Sequence, residues 1–344
     1  MPNFVTTGIT GYVQQNRDLL LKNFGLANSG TRGAGISIRT GIKGSEKLNY
    51  LEIEPTFQDG STCGFTAQGT ATLSQRQIDT EPIKVNMDIC DLTLVNTYAE
   101  YLVNIDATRR ASLPFEQYVM DGLIASINGM IEKLIWQGDK TAHSSDNSLK
   151  WIDGYLAIAG DESDVIDVSI TSGSSAYAGI LKVYASLPER TLQRNPVIFV
   201  SPAIYRAFMM EMVAQNLYHY PVPEGGAPLE FYLPGTNCRV RNTPGLEGSL
   251  LILGTFPRNL VYGTDMLNNN EDIDLWFSKD DDVWKLKALW NSGVQFYFPD
   301  QVVLGTFAAA PAVVVPAASS LATIAEQVTG LNDSDKVFKT QAQS

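Results

Sequence analysis

Residues 36–80 form a long stretch of extended propensity built mainly from Thr, Gln, Ser and Gly, with few large side chains between Gly64 and Ile78. Asp59-Gly60 is a turn dipeptide, so the stretch reads as a hairpin whose strands cover Tyr50 to Thr56 and Thr62 to Ser74. A two-stranded ribbon of this size and polarity cannot bury enough apolar surface to be stable alone. It must lie against another surface, either its own domain or a neighbouring chain, and everything else in the sequence has to supply that support.

The rest of the chain can supply a core: 44% of its 344 residues are apolar. Ile83, Val85, Met87 and Ile89 alternate with polar positions, as in a strand with one buried face. From Pro114 to Gln137, apolar residues from Phe115 and Tyr118 through Ile127, Ile131, Leu134 and Ile135 return at three- and four-residue steps, the period of a helix about 35 Å long. Pro114 suits its first turn and Gly138 its end. Gly122 and Gly129 inside it point to close approach at those turns or to a bend. A second amphipathic helix is expected over Ala176 to Leu187. The apolar run Pro196 to Val200 reads as a strand buried on both sides, and Ser201-Pro202 starts a third helix. Strands follow at Cys238 to Asn242, Ser249 to Gly254, Leu260 to Gly263, Ile273 to Ser278, Val283 to Trp290 and Val294 to Phe298, with Lys279 to Asp282 as a turn. The order is that of an α+β protein. Residues 1–35, poor in apolar anchors, read as an arm lying over something else, and residues 308–344, rich in Ala, Pro and Ser, as a loosely attached tail.

Several functions find no support in the residues. A formal charge of −12 argues against affinity for nucleic acid by phosphate neutralisation. Cys63, Cys90 and Cys238 are odd in number and lack a CxxC pair, which fits a reducing cytoplasm and no zinc ribbon. Met1 to Gly11 carries no basic cluster followed by an apolar run, so no secretory signal is expected. Nothing approaches a membrane span, because Pro311 and Pro316 break the Ala/Val run after Phe307. His143 and His219 lie in different predicted loops and belong to no HExxH or Ser/His/Asp order. Gly30, Gly33 and Gly35 precede no P-loop Lys-Ser/Thr, and the acidic stretches 268–274 and 280–282 lack EF-hand spacing. No catalytic, cofactor or metal residue is assigned, and no enzymatic activity is expected.

The order of elements resembles a known family. The helix running into Ile135-Trp136-Gln137-Gly138-Asp139, the return Trp151-Ile152-Asp153-Gly154, the strand and helix of Phe199-Val200-Ser201-Pro202-Ala203-Ile204-Tyr205, and the "N-L-x-Y-G-x-D" run Asn259-Leu260-Val261-Tyr262-Gly263-Thr264-Asp265 are similar to the major capsid proteins of tailed phages with the Hong Kong 97-like fold. The resemblance covers roughly Ile36 to Thr306. It implies an N-terminal arm (1–35), an extended loop (36–80), a peripheral domain (81–174) with its spine helix (114–137), an apical domain (175–291), a return to the peripheral domain (292–307) and a tail (308–344). The implied function is self-assembly, as hexamers and pentamers, into an icosahedral shell that encloses DNA without specific binding and forms the virion capsid. Portal, scaffold and decoration proteins are the implied further partners. An encapsulin-like nanocompartment shares the fold, and a β-rich ligand-binding module is the alternative outside it. Arg32, Arg39, Asp59, Gly60, Arg76, Arg109 and Arg110 are the candidate intersubunit contacts. For the arginines, pairing with acidic patches on a neighbour and simple solvation remain alternatives.

Overall fold

The structure, a computed structural model, describes residues 30–61, 64, 68–90, 115–145, 148–215, 230–265, 273–278, 280–281 and 283–311. The first 29 residues of the expected arm, the tail from residue 312, Arg109, Arg110 and His219 lie outside the described residues.

Three sheets organise the described residues. Strands β1 (Ser37–Thr40), β4 (Glu81–Cys90), β10 (Leu260–Thr264), β11 (Ile273–Ser278) and β12 (Val283–Phe296) form a five-stranded sheet around β12. β12 pairs antiparallel with β4 from Val283↔Cys90 to Ser292↔Glu81, with β11 at its start and with β10 at its end. β5 (Ile166–Ile170), β13 (Val303–Phe307), β9 (Leu251–Thr255), β6 (Val197–Val200), β8 (Arg239–Asn242) and β7 (Glu230–Tyr232) lie in that order in a six-stranded mixed sheet. β2 (Ser45–Pro55) and β3 (Gly69–Asp79) pair with each other in the third and, among the described residues, with no other strand.

The longer helices among the described residues are α1 (Phe115–Gln137), α2 (Tyr155–Asp161), α3 (Ala176–Ala185) and α4 (Pro202–Ala214). Ser201 accepts a hydrogen bond from the Ile204 amide at 3.4 Å with Pro202 in the first turn, so the residues read as a helix start serve as one. Ser175 does the same for α3.

The six-stranded sheet is buried on both faces. Along β6, Val197 and Phe199 join the core shared with α1, α2 and the five-stranded sheet, whereas Ile198 and Val200 face the core under α3 and α4. A continuously apolar strand is the consequence of having two faces to bury. Strand β5, from the stretch 81–174, and β13, from 292–307, lie in the same sheet as β6 to β9, while β12 stays paired with β4. The sheets therefore interleave segments that are distant in sequence.

Four sequence expectations are corrected. β12 is one 14-residue strand, not two, because Gly293 lets it pass the β3–β4 corner: a Cβ there would overlap the Asp79 carbonyl oxygen. The hairpin strands are shifted toward its base, and with Pro55 opposite Gly69 the Asp59-Gly60 pair sits inside a long loop, not in a two-residue turn. Strands β1, β5, β7 and β13 had not been expected; each is five residues or fewer, too short for its period to show. Gly122 and Gly129 are exposed, and a Cβ at either would meet nothing within 4 Å among the described residues, so neither serves a close approach to any of these.

Candidate assembly surface

The β2–β3 ribbon is fastened at its base and bare toward its tip. Leu48 and Ile78 are fully buried there with Ile42 and Val261, and Tyr297 packs against them. Gly263 makes room for this cluster, since a Cβ would lie 2.9 Å from Ile78 Cδ1. Thr80 locks the corner, accepting from the Gly44 amide at 3.2 Å and donating to the Gly44 carbonyl at 2.9 Å. The Gln295 side-chain amide donates to the Gln77 carbonyl at 3.0 Å. Tyr50 meets Phe298 edge-on with ring centroids 5.0 Å apart.

Two of the candidate arginines belong to this anchorage. The Arg76 guanidinium forks onto the Glu162 carboxylate, at 2.7 and 3.2 Å, and also reaches Gln295. This pair holds the Glu162 carboxyl below the usual carboxylate range. Arg39 donates to the Tyr297 hydroxyl at 2.9 Å. Asp59 accepts from the Ser61 amide and hydroxyl, at 2.9 and 2.7 Å, which fixes the exposed turn containing Gly60. Arg32 lies in the helical turn Gly30–Gly33. Thus Arg39 and Arg76 converge on the ribbon base and Asp59 and Gly60 on its far loop.

Beyond the base the ribbon is less polar than its composition suggests. Leu51 stands opposite Leu73, and Ile53 opposite Ala71, on one face of the ladder. Leu51, Ile53 and Leu73 are 56%, 61% and 63% exposed, and Phe57 in the loop is 98% exposed. Leu51 and Ile53 line a groove of about 470 Å³ against Arg190, Arg194, Phe298 and Pro299 of the body. A second apolar hollow, about 230 Å³, lies between α1 and β4, where Met87, Met130 and Trp151 remain exposed. Scattered exposed apolar residues are ordinary, but a run of them on a ribbon without cover among the described residues marks a contact surface.

The glycines and acids of the sequence motifs turn out to hold backbone together. The Gly154 amide donates to the Gly138 carbonyl at 2.8 Å; a Cβ on Gly154 would come within 2.7 Å of the Ile135 carbonyl oxygen, and one on Gly138 would overlap the carbonyls of Leu134 and Ile152. Asp139 accepts from the Thr141 and Ala142 amides, and Asp153 from the Lys140 amide. Trp136 packs with Tyr155 and Phe199 at 5.2 and 4.9 Å, and its indole donates to Thr31 at 2.8 Å. Asn259 is fully buried, donates to the Phe298 carbonyl and accepts from the Phe298 amide, while Asp265 accepts from Asn291. These motifs hold the backbone of the fold in place.

Sequence reasoning missed the buried contact of Thr31 with Glu132, whose carboxylate accepts from the Thr31 amide and hydroxyl at 3.1 and 2.6 Å. The signal available was an acid on the apolar face of α1. His143 is half-buried in the loop after α1, and burial pushes the Cys238 thiol up to about 12, far from a reactive thiolate. Among the described residues no group of three or more His, Cys, Asp or Glu is placed to hold a metal ion.

No protein-family model matches the sequence, and no curated protein does. Solved structures do. A chain of the satellite phage P4 procapsid, in a structure that includes size determination (Sid) protein, is 11% identical and superposes with a TM-score of 0.58 over 92% of this chain and 100% of that one. A chain of Gordonia phage Cozz is 10% identical, with a TM-score of 0.54 over 82% of this chain and 87% of that one. At such identities the likeness speaks for the fold: the chain is α+β with a Hong Kong 97-like fold.

Proposed function

We propose that this chain is the major capsid protein of a tailed double-stranded DNA phage and that its activity is self-assembly into the icosahedral shell of the virion. The observation carrying this reading is the ribbon, rigidly anchored at Leu48, Ile78 and Arg76 yet exposing Leu51, Ile53, Leu73 and Phe57 beyond its base. Burying such side chains contributes roughly 1.5–3 kcal/mol each at full burial, which the described residues leave largely ungained. A second copy supplies the missing cover, and repetition around a ring sums modest contacts into a stable shell. The fold likeness to the phage P4 procapsid chain supports the same reading.

In this proposal hexamers and pentamers are the building units, and the six-stranded sheet with α3 and α4 forms the apical region at the centre of each ring. The five-stranded sheet with α1 forms the periphery, and residues 1–35 and 308–344 keep the roles of arm and tail. Asp59 and Gly60 at the far loop contact the neighbour directly. Arg39 and Arg76 contribute by fixing the ribbon's direction, and Arg32, Arg109 and Arg110 are further candidates for ionic contacts between subunits. The charge of −12 suits a wall that encloses DNA without gripping it. Portal, scaffold and decoration proteins are its proposed partners in the virion. Electron microscopy of the overexpressed chain tests the reading: closed shells support it, and a discrete monomer at high concentration, as a ligand-binding module would give, refutes it. Nucleic acid inside shells from infected cells, against enzyme cargo, separates a capsid from a nanocompartment.

A further inference from the structure

Near the start of β10 lies a cavity of about 540 Å³ lined by Ala34, Gly35, Arg194, Asn195, Arg239, Phe256, Pro257 and Arg258. Among the described residues, three guanidiniums and no carboxylate line it, in a chain with 37 acidic and only 25 basic residues. Glu230 engages Arg239 at 3.0 Å, from outside the lining. Arg194 lies over the Phe256 ring at 4.9 Å, and Arg258 is exposed on the turn Pro257–Asn259. Among the described residues no carboxylate pairs with Arg194 or Arg258. Concentrated positive charge in a concave site calls for an anionic occupant.

The same sheet carries an acidic end. Asp280 and Asp281 are exposed at the turn from β11 to β12, with Asp88 of β4 beside them opposite Lys285. Asp281 is held by Lys285 and Ser278, and Asp280 stands exposed beside it. The two patches cannot meet within one chain. Leu260, which follows the arginine-bearing turn, pairs with Phe296 at one end of β12, while the acidic turn adjoins Val283 at the other. At about 3.3 Å per residue the strand holds them about 40 Å apart.

We infer that the arginine cavity receives the acidic β11–β12 turn of a second copy, with Arg258 and Asp280 as the principal pair. Complementary patches on opposite ends of a rigid element make a head-to-tail contact, the kind that propagates a ring or a lattice and leaves no patch unused. The inference rests on the assembly reading above and names one of its contacts.

Charge reversal in the full chain tests it, with assembly followed by light scattering and electron microscopy. Arg258→Glu is expected to keep the monomer's melting temperature while slowing assembly by about tenfold or more, and Asp280→Lys to do the same. The doubly reversed chain is expected to regain most of the wild-type rate. Wild-type assembly by Arg258→Glu, or no recovery in the double reversal, overturns the pairing while leaving the proposed function standing. Absence of any particle from the wild-type chain overturns the function itself. Protection of the cavity by inorganic phosphate, without any effect of Asp280→Lys, assigns the site to a free anion and also overturns the pairing.

Discussion

Arg76, on the ribbon, donates two hydrogen bonds to the carboxylate of Glu162, just beyond α2, 86 residues later in the chain. The pair is half-buried and bidentate, the geometry in which an ion pair between a projection and a body does most to fix direction. Because Arg76 lowers the Glu162 pKa on folding, its stabilisation is present above the ordinary carboxylate range and is lost as pH falls through the folded pKa. Wild-type protein should therefore protect β2 and β3 amides from hydrogen exchange better than Glu162→Gln at neutral pH. The difference should shrink as pH falls below the ordinary carboxylate range and vanish only below the folded pKa of Glu162. A difference that persists in acid contradicts this assignment.

Replacing Leu51, Ile53 and Leu73 together by Ser should leave the melting temperature of the monomer nearly unchanged, since all three are more than half exposed. Assembly should suffer much more. If each side chain is buried by a neighbour, the critical concentration should rise by about 100-fold or more. Equal effects on folding and assembly would place these side chains against their own body instead.

Gly154→Ala should be among the most damaging single substitutions, costing roughly 2–4 kcal/mol, because its Cβ would press on the Ile135 and Trp136 backbone, which has no room to yield. Loss of soluble protein, or a large fall in melting temperature, is the expected result. Gly129→Ala should do the opposite. That position is open and helical, so the change should stabilise the monomer by up to about 1 kcal/mol. If Gly129→Ala stabilises the monomer but slows assembly, the glycine serves a close approach by a second copy.

Much of this architecture was legible in the sequence. The 3.6-residue period of α1 and the alternation of β4 survive because each element is long and has one buried face. The double glycine of Gly138 and Gly154 was visible as a motif, though only the structure shows that it is a backbone crossing. Short strands such as β5 and β13 were illegible because five residues carry no decisive period and their pairing comes from segments 49 to 137 residues away. In sequence the ribbon reads as an element that must lie against its own domain or a neighbouring chain. Its composition concealed that Leu48 and Ile78 find cover in Ile42 and Val261, while the sparse apolar residues farther out do not. Of the candidate contact residues, Arg39 and Arg76 stood out by charge, but charge alone could not tell that Tyr297 and Glu162 would answer them.

The most direct measurement is sedimentation velocity, with negative-stain microscopy, on the purified full-length chain across a range of concentrations. Closed particles of uniform diameter, abolished by the triple serine change while the monomer stays folded, are what a shell-forming subunit must give. A compact monomer at every concentration, with the same hydrogen-exchange protection at Leu51 and Leu73 as at Leu48 and Ile78, would contradict it.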